Sequence, residues 1–115
     1  MTRAELIAYC LTYPSAVEDY PFEDNNSTIM RHAVNRKWFA LIFERDGKLC
    51  INLKCDPLEA DFLRQISMSV TPGWHMNKEH WNTVTLGGDV PDAEVFDMIS
   101  RSFDLTKEKT KNCRK

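Results

Sequence analysis

The densest set of chemically capable side chains lies in Pro72-Gly73-Trp74-His75-Met76-Asn77-Lys78-Glu79-His80-Trp81, which holds two His, two Trp, one Asn and one Lys. Metal binding needs converging ligands. His75 and His80 are five residues apart, whereas two imidazoles share a helical face at i, i+4. Glu79 could add an oxygen, but no third His or paired Cys lies nearby, so no metal is expected. A His beside Lys and Glu could move protons. The chain nevertheless has no Gly-x-Ser-x-Gly elbow, no phosphate-cradling glycine loop and no His-Glu-x-x-His, the arrangements that activate a nucleophile, a phosphate or a water. No catalytic residue and no cofactor are expected. Recognition fits the same side chains, because Trp, His, Asn and Lys pack against bases and hydrogen-bond phosphates and base edges. An architectural role competes with it. Trp74 and Trp81 could anchor a long irregular loop whose backbone His and Asn satisfy.

Other candidate groups carry less. Glu18, Asp19, Glu23 and Asp24 lack the spacing of a calcium loop and read as a solvated acidic segment. Cys10, Cys50, Cys55 and Cys113 contain no Cys-x-x-Cys pair, which fits reduced thiols of a cytoplasmic protein. Cys55 follows Lys54, whose charge could lower its pKa, although a buried structural thiol is the favoured reading.

The elements that position these residues belong to a chain of 115 residues, 43% apolar and 28% charged, the size and composition of one globular domain. No window approaches a membrane-spanning run. The first 30 residues, with one Arg and five acids, lack the basic and apolar regions of a signal peptide. The net charge of −2 hides a segregation, with eight basic and six acidic residues in 31–80 and five basic residues and one acid in 107–115. So small a total excludes strong non-specific DNA binding but allows a local basic face.

Thr2 and Glu5 form a capping box ahead of the stripe Leu6, Ile7, Cys10 and Leu11, and Pro14 ends that helix. A short strand is predicted near Val17–Tyr20. Strands follow at Thr28–Val34, Lys37–Glu44 and Lys48–Lys54, turned at Asn35-Arg36 and Asp46-Gly47. The third puts Leu49, Ile51 and Leu53 on one face and Cys50, Asn52 and Lys54 on the other. Asp56-Pro57 opens a helix whose buried stripe is expected to be Leu58, Phe62, Leu63 and Ile66. Met68–Thr71 and Trp81–Leu86 read as strands. Pro91 opens a last helix with Val95, Met98, Ile99 and Phe103 facing the core. This order predicts a two-layer α+β domain, an antiparallel sheet with helices packed on one face and the other face open to solvent.

The chain resembles the MmcQ/YjbR family of small bacterial proteins. The resemblance rests on Glu18-Asp19-Tyr20-Pro21-Phe22, Lys37-Trp38-Phe39-Ala40, Leu53-Lys54-Cys55-Asp56-Pro57, Leu63-Arg64, the run from Pro72 to Trp81, and Ser102-Phe103-Asp104-Leu105. It covers about residues 4–106. Asn35-Arg36 stands where the pattern often has a glycine-containing turn. The resemblance implies a frataxin/CyaY-like fold and a double-wing arrangement for binding DNA, with no established reaction.

Together these readings predict a single domain over 1–106 and a flexible basic tail over 107–115. They predict a monomeric, cytoplasmic, non-enzymatic DNA-binding module of modest affinity. Its candidate contacts are Arg36, Lys37, Lys54, Arg64, His75, Asn77, Lys78 and His80. The alternative is a protein-interaction domain using the surface of Trp74, His75 and Trp81.

Overall fold

The Thr2 hydroxyl accepts from the Glu5 amide at 3.1 Å, and the Glu5 carboxylate accepts from the Thr2 amide at 2.8 Å. This reciprocal cap starts α1 (Arg3–Cys10), which buries Leu6 and Cys10. The computed structural model describes residues 1–108. The predicted tail therefore lies outside the described residues, apart from Lys107 and Glu108. After α1 come β1 (Ala16–Asp19), β2 (Thr28–His32), β3 (Trp38–Arg45), β4 (Lys48–Lys54), α2 (Pro57–Ile66), β5 (Val70–Pro72), β6 (Trp81–Thr85) and α3 (Asp92–Thr106). The strands form one antiparallel sheet in the order β1-β2-β3-β4-β6-β5. The protein is thus α+β. Asp46 and Gly47 take φ of 54° and 76°, the left-handed pair that a two-residue hairpin requires.

One face carries the main core. Ile42, Ile51, Leu53 and Val84 from the sheet meet Leu6 of α1 and Val95, Ile99 and Phe103 of α3. A bulge adds to it. Met30 pairs with Ala40 and Arg31 with Trp38, so Phe39 is skipped. The extra residue turns Phe39 to the helix side, where it meets Phe103 edge-on at 5.1 Å.

Two expectations are corrected here. The second face is not left open. Ile29, Leu41, Phe43 and Cys50 form a smaller buried cluster covered by Trp38, Trp74 and Met76. The apolar run of β3 supplies both faces, so the second needs its own cover. Of the expected α2 stripe only Leu63 packs against the core, while Leu58, Phe62 and Ile66 face outward at 84%, 57% and 61% exposure. Ala60 is buried instead. Its small side chain allows close approach to β6, where the Asn82 Nδ2 donates to the Ala60 carbonyl at 3.2 Å. Among the described residues no helix is long and apolar enough to cross a membrane.

Candidate functional site

Residues 73–80 leave β5, cross the second face and return as β6. Gly73 is required at the start, because a Cβ there would lie 2.8 Å from the Trp81 Cβ and 2.9 Å from its carbonyl oxygen. The Trp74 amide donates to the Thr83 hydroxyl at 2.9 Å, and its carbonyl accepts from the Asn52 Nδ2 at 2.9 Å. The Thr83 hydroxyl in turn donates to the Asn52 Oδ1. Asn52 is fully buried, so this polar relay fixes the loop from beneath. The indole of Trp74 stacks on Phe43 at 5.0 Å, with the Arg45 guanidinium 5.2 Å from the ring. Trp74 is therefore an anchor.

The other residues of this segment divide by function. The Lys78 ammonium turns inward to the carbonyls of Gly73 at 2.8 Å and Met76 at 3.4 Å. The Asn77 Oδ1 accepts from the amides of Glu79 and His80 at 2.9 and 3.3 Å. Arg64 reaches across from α2, donating to the Asn82 Oδ1 at 2.6 Å, the Trp81 carbonyl at 3.2 Å and the Lys78 carbonyl. These three are loop fasteners. The His80 Nε2 lies 3.8 Å from Glu79, and the His80 carbonyl accepts from the Cys55 amide at 2.8 Å. His75 is exposed at φ 61°, its ring 4.1 Å from Trp74.

A different set of cations converges at the end of the sheet. Lys37 and Lys54 line one depression of about 300 Å³ with Trp38, Met76, Trp81 and Thr106. Lys54 is placed there by its pairing with Trp81 and by Ser102 of α3. The Ser102 hydroxyl accepts from the Lys54 amide at 2.9 Å and donates to the Phe39 carbonyl at 2.6 Å. Arg36 sits exposed on the adjoining hairpin at φ 66°, 3.9 Å from Asp19. Arg31 pairs more tightly with Asp19 at 2.6 Å and lies 5.8 Å from the Trp38 ring centroid. That ion pair holds the Asp19 carboxyl below the ordinary range.

Beside this depression runs a groove of about 390 Å³ lined by the apolar and aromatic Phe22, Trp38, Leu41, Trp74, His75 and Met76 and by the polar Asp24 and Ser27. The two hollows share Trp38 and Met76. Sequence reasoning missed Phe22, Trp38 and Met76 as site residues. The available signal was an aromatic next to Lys37 at the start of a strand. Cys55 is half-buried, and burial pushes its thiol pKa up despite the nearby Arg101 and Arg64, the opposite of an activated thiolate. No three His, Cys, Asp or Glu side chains converge as a metal site among the described residues.

A family model described as YjbR matches residues 11–105. The uncharacterized protein YyaQ of Bacillus subtilis strain 168 is 35% identical over 93% of this chain and 99% of its own length. The uncharacterized protein YjbR of Escherichia coli K12 is 34% identical over 96% of each chain. Among solved structures, a Pseudomonas syringae protein superposes with a TM-score of 0.83 at 33% identity, covering 93% of this chain and all of that one. Deinococcus radiodurans protein DR2400, with a DUF419 domain, superposes with a TM-score of 0.84 at 33% identity, covering 96% and 83%.

Proposed function

This chain belongs to the YjbR family, and we propose that it is a non-enzymatic nucleic-acid-binding module that contacts its ligand at the end of the sheet. The observation that carries the proposal is the convergence of Lys37 and Lys54, from neighbouring strand ends, on one depression walled by Trp38 and Trp81. Ammonium groups neutralise phosphates while aromatic side chains take up sugars and bases. Arg36 on the adjoining hairpin adds a third cation. Arg64 and Lys78 fall outside the contact set, because their donors already serve loop carbonyls. With about three phosphate contacts, binding is modest and strongly salt-dependent. The protein acts as a monomer in the cytoplasm.

The protein-interaction alternative needs Trp74, His75 and Trp81 on one surface. Trp74 and His75 line one groove and Trp81 the adjoining depression, while one face of Trp74 is taken up by Phe43.

The test is an anisotropy titration with labelled DNA at two salt concentrations, with a neutral polymer as control. Lys37→Gln and Lys54→Gln should each weaken binding to all sequences about equally. Each should also flatten the slope of log K against log salt by about 0.7 to 0.9. A wild-type protein that binds neither duplex nor single strand at about 50 mM salt overturns the proposal.

A further inference from the structure

Resting on that reading, we propose that the groove beside the cationic depression is a nucleobase pocket and that the preferred ligand is a single strand rather than a duplex. The two hollows share one wall, Trp38 and Met76. A phosphate on Lys37 or Lys54 therefore has an apolar groove immediately across that wall. The groove's volume of about 390 Å³ falls in the range of pockets that take small planar ligands.

The aromatic faces are not equally free. Trp74 is stacked on Phe43 and has Arg45 near its ring, and Trp38 has Arg31 near its own. Phe22 is 45% exposed and stands nearly perpendicular to Trp38, at 86° and 5.9 Å. It offers a ring on which a base can stack, and the polarizable Met76 lines the same groove. His75 lines the groove and is exposed. Its positive φ is a conformation that a non-glycine residue keeps only where its surroundings enforce it. Its ring nitrogens have no hydrogen-bond partner within the described residues, so they remain free for a base edge. The Asp24 carboxylate, which also lines the groove, is engaged by the Asn26 and Ser27 amides at 3.1 and 2.9 Å.

Phosphate and base thus occupy hollows separated by one side-chain layer. A duplex keeps its bases stacked inward and would have to flip one out to fill the groove. A single strand presents both groups without that cost.

The experiment compares three ligands of about ten nucleotides by anisotropy at low salt. They are a thymidine strand, a duplex containing it, and an abasic strand with the same phosphates and no bases. The thymidine strand should bind about tenfold more tightly than either of the others. Phe22→Ala should remove that advantage while leaving the salt slope unchanged, and a thermal melt confirms that this surface variant is folded. Lys54→Gln should weaken all three and flatten every slope. Equal binding of the three ligands, or a preference that survives Phe22→Ala, overturns the base pocket. If Lys54→Gln still flattens the slopes, the cationic site stands without it. Absence of binding to all three ligands removes both.

Discussion

Arg64 and Lys54 are both cations beside β6, yet their surroundings give them opposite roles. A guanidinium has five N–H donors in a fixed fork, and Arg64 aims its own at Asn82 and at the Lys78 and Trp81 carbonyls. Asn82 is 3% exposed. Truncating Arg64 would leave the buried Asn82 oxygen without this donor, at a cost of about 1–3 kcal/mol. Arg64→Ala should therefore lower the urea midpoint, and Lys78→Gln should do so by a smaller amount through its lost bond to the Gly73 carbonyl. Unchanged midpoints in both variants would free these cations for a ligand. Residue type alone could not separate them from Lys54, because the partners of Arg64 sit 14 to 18 positions away along the chain.

At the scale of elements, α2 makes the same point about direction. The spacing of Leu58, Phe62 and Ile66 correctly places them on one face. It does not say whether that face or the opposite one meets the sheet. Ala60 and the Asn82–Arg64 pair settle the matter, and they draw the small, polar-bonded side inward. Phe62→Ser should accordingly change stability by no more than about 0.5 kcal/mol, whereas a core phenylalanine would cost about 3–5 kcal/mol. Chemical denaturation decides between the two. The strands were more legible. Asp46-Gly47 sets the β3–β4 register, so the faces of Leu49 to Lys54 followed from alternation, as did the nearness of Lys37 and Lys54. The cover over the second face was not legible. It depends on long-range pairing of Lys54 with Trp81 and on the buried Asn52–Thr83 relay, neither of which leaves a local pattern. The Phe39 bulge was hidden for a related reason, since a continuous apolar run shows no break in period.

For the molecule as a whole, stability is tied to pH through His32. It is 4% exposed, packed against Phe103 at 4.4 Å, with its Nε2 2.8 Å from the Thr106 hydroxyl. That hydroxyl donates to the Ser102 carbonyl, which leaves its oxygen free to accept from a ring N–H of His32. Burial lowers the His32 pKa below its ordinary value. Between that depressed value and about 6.5 the unfolded chain binds the extra proton. The contribution of His32 is therefore complete above about pH 6.5 and is lost as the pH falls through this window. Asp89, whose carboxylate accepts from Ser67 and from the amides of Met68 and Ser69, is lowered too and adds a loss of the same sign in stronger acid. Urea melts of the wild type should shift to lower midpoints from pH 7.5 to pH 5, by more than those of His32→Asn. Equal shifts would remove His32 as the cause.

The two rims of the sheet have a colloidal consequence. β1 is four residues long and carries Glu18 and Asp19, while β5 is three residues long and ends in Pro72, which has no amide hydrogen to offer. Neither rim presents the long, flat row of unpaired amides that templates growth by a second chain. Copies crowded side by side in concentrated solution would therefore stay separate particles, and fibril seeding through the native sheet is blocked at both ends.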